Sequence, residues 1–124
     1  GILFTLPLAA WAARAARLDL VDELIDLGAD LEVRNSDGNT ALWLACFGGD
    51  AAVVQRLIAA GARLDNQNDT GATALMYCAS SGRDGLVELL LGAGADARLQ
   101  TQDDFRAVDL AATAGSLRLL RHTA

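Results

Sequence analysis

The chain has 124 residues, the size of one domain, and 52% of them are apolar, which is enough for a packed core and too many for a disordered chain. Aromatics make up only 5%, so the core must be mostly Ala, Leu, Val and Ile, and 12 glycines against one proline imply helices separated by glycine-marked turns. A net charge of −6 argues against nucleic acid and against an anionic membrane surface, and favours a protein partner with a basic patch, chiefly through faster encounter. All ten basic residues are arginine. Schiff-base and P-loop lysine chemistry are thereby excluded, and arginine's GC-rich codons point to a bacterial source.

In chain order, Gly1 to Ala13 is apolar but lacks the positive start of a signal peptide, is too short to span a bilayer, and ends at Arg14. An opening glycine in place of methionine points to a processing scar or to the interior of a longer protein. A repeat explains the run better. Gly28-Ala29-Asp30 recurs as Gly61-Ala62-Arg63 and as Gly94-Ala95-Asp96, each 33 residues on. Thr40-Ala41-Leu42 and Thr73-Ala74-Leu75 keep the same step, as do Val21, Val54 and Val87, and Leu24, Leu57 and Leu90. In that register Leu8 to Ala15 is a first helix, with Trp11 at the position of Leu44, and Leu18 to Leu27 is a second; Gly1 to Leu6 has no counterpart.

One full period reads as a helix pair. Thr40 places a hydroxyl to cap a short helix over Ala41 to Phe47, whose Leu42, Ala45 and Cys46 share one face. Gly48-Gly49 stop it. A second helix follows from about Asp50 to Ala60, with an apolar stripe of Val53, Val54, Leu57 and Ile58, and Gly61 as a left-handed C-cap. Neither helix can bury its stripe alone, whereas stacked periods can.

These units, Asp37-Gly38-Asn39-Thr40-Ala41-Leu42-Trp43-Leu44-Ala45 followed by Val54, Leu57, Ile58, Gly61 and Ala62, and the matching Gly71 to Ala79 with Val87, Leu90, Leu91, Gly94 and Ala95, resemble the ankyrin repeat. The resemblance implies an all-α solenoid of stacked helix–turn–helix units joined by β-hairpin-like turns. It divides the chain into an N-terminal cap repeat (1–34), two full repeats (35–67 and 68–100) and a truncated C-terminal cap (101–124). The family's usual Pro is replaced by Ala41 and Ala74, and its turn-bracing His by Trp43 and Met76. In the last unit Asp104 stands for Gly71 and Arg106 for Thr73; Ala107 to Ala112 and Gly115 survive, and the second helix stops near His122.

No catalytic constellation is visible. His122 is three residues from the end, and Cys46 and Cys78 fall in helices as small structural apolar groups, which leaves no zinc ligand set, no Cys–His nucleophile and no cofactor. Asp19, Asp22, Glu23 and Asp26 form the solvated face of a helix. The expectation is a non-enzymatic, monomeric binding module, placed in a reducing cytoplasm because its two thiols are read as free, with a Cys46–Cys78 disulfide as the lesser alternative.

The resemblance implies that the partner is gripped by turn tips and first helices. Projected residue by residue, that face carries Arg34, Asp37, Asn39, Trp43, Phe47, Gln67, Asp69, Thr70, Met76, Ser80, Asp103 and Phe105, with Arg14 on the first helix of the first unit. Phe47 and Phe105 are candidate hot spots: aromatic groups at positions expected to be exposed, on a polar rim. Trp43 either braces a turn or faces the groove. The acidic tips Asp37, Asp69, Asp103 and Asp104 favour a partner bearing Arg or Lys. Three binding roles fit: an adaptor, an inhibitor or immunity-type protein covering a basic site on an enzyme or toxin, and the targeting segment of a larger enzyme or effector.

Overall fold

A computed structural model describes residues 8–122. Among them are eight helices and no strand: α1 (Leu8–Arg14), α2 (Leu18–Asp26), α3 (Ala41–Gly48), α4 (Ala51–Ala59), α5 (Ala74–Ser80), α6 (Asp84–Gly92), α7 (Ala107–Leu110) and α8 (Ala114–Arg121). The expected run Gly1 to Leu6 lies outside the described residues. Two compact units divide the chain at Arg63 and Leu64.

In the first unit, α1 packs on α2 and α3, and α4 on α2 and α3. The stripes meet as the sequence requires. Ala12, Ala13, Val21, Leu42, Ala45, Cys46, Val53, Val54 and Leu57 are all buried. Alanines at the contact let the helices approach closely. A Cβ on Gly48 would lie 2.6 Å from the carbonyl oxygen of Arg14, so the end of α3 meets the end of α1 backbone to backbone. On the outer face Arg56 of α4 pairs with Asp22 at 2.7 Å and Asp26 at 3.5 Å on α2.

The second unit repeats the plan, with α5 against α6 and α7, and α8 against α6 and α7. Leu75, Met76, Cys78, Ala79, Val87, Leu90 and Leu120 are buried. Thr73 caps α5 by accepting the Met76 N–H at 3.2 Å, and the Met76 sulfur accepts the Thr73 N–H in return. Thr40 is the N-cap of α3, yet its hydroxyl makes no capping bond, which corrects the sequence expectation.

The last repeat slips in phase. Its first helix is only Ala107–Leu110, and Ala112 donates to the Ala79 carbonyl at 3.0 Å instead of continuing it. Gly115, one period after Gly82, lies within α8. The cause is Thr113, whose oxygen accepts the Ser116 N–H at 3.0 Å and so starts α8 early. Thr113 and Ser116 both donate to one oxygen of Asp84 on α6, each at 2.6 Å. These hydroxyls hold the Asp84 carboxyl below its ordinary range.

Each turn is closed by a side chain at the same place in the period. The Asn35 N–H donates to the Asn39 carbonyl at 2.9 Å, while the Asn35 Oδ1 accepts the N–H groups of Asp37 and Asn39, both at 3.0 Å. Asn68 does the same for Thr70 and Ala72, and the Thr101 hydroxyl for Asp103 and Phe105. Because side-chain oxygens take N–H groups that a hairpin ladder would use, the turns stay strand-free.

Two non-glycine residues occupy left-handed backbone, Ala16 (φ 57°) and Asp104 (φ 68°), in register with Gly49 (φ 80°) and Gly71 (φ 84°). Left-handed backbone costs a Cβ-bearing residue about 1–2 kcal/mol, part of which glycine loses again through unfolded-chain entropy. Ala16→Gly is expected to stabilise the chain by roughly 0.5–1 kcal/mol in urea melts, and Asp104→Gly by less, because Asp tolerates this region. Asn68→Ala is expected to cost about 2 kcal/mol while Asn68→Asp, which keeps the acceptor, costs less. Asp84 titrates below its ordinary value of 3.8, so its stabilising effect is present above that value and is lost as pH falls through the folded-state value. The Tm advantage over Asp84→Asn should therefore be present at neutral pH and disappear in strong acid.

Candidate functional site

Among the described residues of the first unit, exposed aromatic side chains lie on α1 and α3. Trp11 on α1 is 54% exposed, and Phe47 on α3 is 41% exposed. The contact of Gly48 with Arg14 brings the Arg14 guanidinium over the Phe47 ring, 5.0 Å from its centroid. One helical turn before Phe47, Trp43 stacks on the same ring with centroids 6.1 Å apart and planes 14° apart. Trp43 is half-buried and lines a hollow of about 190 Å³ together with Arg14, Asn35, Asp37, Asn39, Leu44 and Phe47. A second hollow of about 170 Å³ is lined by Ala10, Trp11, Arg14, Asn35 and Leu44.

Of the residues projected onto the partner-facing surface, the first unit thus brings Asp37, Asn39, Trp43 and Phe47 together; Arg34 is exposed outside the hollow's lining. Asn39 is only 3% exposed, because its backbone closes the turn from the inside. Asp37, at the tip, keeps its side chain in solvent.

In the second unit Asp69, Thr70, Ser80, Asp103 and Phe105 are exposed, Phe105 by 48%. Met76 is 2% exposed and belongs to the core, a correction to the projection: its sulfur is turned back on the N-cap of its own helix. Gln67 is half-buried, and its amide donates to the carbonyls of Gly71 at 3.0 Å and Gln100 at 2.9 Å, which commits it to joining neighbouring turns. Thr70 donates its hydroxyl to Asn68, and Ser80 to the Tyr77 carbonyl.

By register Trp11 falls at the position of Leu44, which is buried, whereas Trp11 is exposed. Its size was the available signal: an indole in a slot filled by leucine is hard to bury beside small alanines. Among the described residues no group of three or more His, Cys, Asp or Glu side chains could hold a metal ion. Both cysteines are buried thiols outside any disulfide. No described helix is long and apolar enough to cross a membrane.

Short helix pairs at a fixed stride, with solvated tips and aromatic groups at the ends of first helices, define an all-α repeat domain built for binding. The family model for ankyrin repeats, three copies, matches residues 9–103, and the chain belongs to that family. It is similar to the crystal structure of the ankyrin repeat domain of Bcl-3, described as a unique member of the IkappaB protein family, with 25% identity and a TM-score of 0.87. The match covers 91% of this chain and 50% of the Bcl-3 domain, so the chain spans half the length of that relative. No curated protein matches the sequence. Ankyrin repeats are protein–protein interaction modules.

Since Phe47 keeps much of its ring in solvent, Phe47→Ala is expected to change folding stability by less than about 1 kcal/mol in denaturant melts. That result would separate any loss of binding from loss of fold.

Proposed function

We propose that the chain binds a protein partner through the aromatic hollow of its first unit, with the acidic turn tips steering the approach. The observation that carries this reading is the cluster of Arg14, Trp43 and Phe47 around one hollow, with Trp11 beside Arg14 on the adjoining one: partly exposed aromatic groups with an arginine, the residue types that dominate interface energetics. Folding stability gains little from a half-exposed phenylalanine and an exposed tryptophan.

The tips contribute charge. Asp37, Asp69, Asp103 and Asp104 are exposed, and the chain carries a net charge of −6. A basic patch on the partner matches them, and such complementarity acts mainly on the association rate. A basic site on an enzyme or toxin would satisfy the same charges, which supports an inhibitory role as the second reading.

Affinity capture from source-cell lysate, followed by binding kinetics on the captured protein, tests both parts. Phe47→Ala should weaken binding by roughly thirtyfold, mostly through faster dissociation. Asp69→Arg with Asp103→Arg should slow association and flatten its dependence on salt. Unchanged affinity in the first variant removes the hollow from the interface; unchanged salt dependence in the second removes the steering.

A further inference from the structure

The two hollows of the first unit share a wall made of Arg14, Asn35 and Leu44, so Arg14 stands where they meet. Pockets for cofactor-sized molecules measure about 300–1,000 Å³. At about 190 Å³ and 170 Å³, each hollow is smaller than that and matches a single side chain. Arg14 is exposed, at the last position of α1, and its guanidinium is held over the Phe47 ring. Contact with a ring face leaves the forked N–H donors of an arginine available to a carboxylate. Elsewhere in the described chain Arg17, Arg56, Arg98 and Arg106 each meet a carboxylate, whereas Arg14 meets none. Asp37, on the wall of the larger hollow, likewise has no arginine against it.

We infer that the two hollows receive two apolar side chains of one short segment of the partner, and that Arg14 between them receives an acidic side chain of that segment. The inference rests on the binding reading above and adds the chemistry of the occupant. Charge complementarity selects it. In a chain of net charge −6, most of the surface repels a carboxylate, and Arg14 is the cation that lines both hollows, beside Trp43, Leu44 and Phe47 in one and Ala10, Trp11 and Leu44 in the other. Shifting the acid away from Arg14 towards the larger hollow brings it up to Asp37, so the pair of charges fixes the register of the segment as well as its composition. The basic groups of the partner are left to face the turn tips.

The test is a phage-displayed library of random 12-residue peptides panned on the immobilised chain, with enriched peptides then measured against variants in solution. Arg14→Gln is exposed and should leave the melting curve in place. Enriched sequences are expected to carry Asp or Glu flanked by Leu, Ile, Phe, Met or Trp, and to bind Arg14→Gln about tenfold more weakly, the loss of one charge-assisted contact. Replacing the acid with its amide in the peptide should cost the same factor on the wild-type chain and nothing on the variant. Enrichment of peptides that respond to Trp11→Ala or Phe47→Ala but not to Arg14→Gln, or that carry a basic residue in place of the acid, overturns this inference and leaves the binding reading standing. Peptides indifferent to all three variants, or no enrichment at all, overturn both.

Discussion

Helices of this length cannot survive alone in water, and everything else in the molecule follows from the need to cover them. The described helices run from four to nine residues, below the length at which an isolated helix is stable. Their stability comes from pressing apolar stripes together, in which leucine and valine supply the bulk and alanine the points of closest approach. Ala12, Ala13, Ala45 and Ala79 are fully buried. Small side chains at the contact bring backbones close, and Gly48 against the carbonyl of Arg14 is the extreme case. That contact also places Arg14 over Phe47, so the packing rule that forms the core arranges the candidate site.

The turns obey a second rule. A side-chain oxygen at the start of each turn, from Asn35, Asn68 or Thr101, collects two backbone N–H groups. The residues between are thereby held outward without a strand to support them, and the tip side chains of Asp37, Asp69 and Asp103 are solvated. Where the acceptor's partners lie on the inner side, as with Asn39, the residue is buried. Neighbouring turns within the second unit are tied by Gln67 and Gln102, whose amides donate to carbonyls one period away. Polar residues that look like partner contacts in sequence are thus divided between holding turns in place and facing solvent.

For an acidic repeat domain, affinity and rate are set by different parts. In the proposed binding mode, desolvated aromatic and arginine contacts would set how long a partner stays, and exposed carboxylates at the tips how quickly it arrives. The first unit concentrates the former, and the second offers Phe105 beside exposed Asp103 and Asp104. The proposed use of tips and first helices leaves the second helices free to carry solvated charge, and Asp19, Glu23 and Asp26 are exposed on α2.

The stride of 33 residues, the helix pairs, their buried stripes and the family could be read directly from the sequence, because spacing and side-chain size are one-dimensional properties. Phe47 and Phe105 stood out in the sequence as aromatic groups on a polar rim, but only the fold decided that both are exposed. Other features depended on three-dimensional competition. Met76 turned inward because its sulfur could take the N–H of Thr73; Trp11 stayed outside although its register copy Leu44 is buried; α8 began early because Thr113 offered a better cap than the repeat position did. Those outcomes hinge on which of several available partners a group reaches first in space. Periodicity names the slots, but only packing decides what fills them.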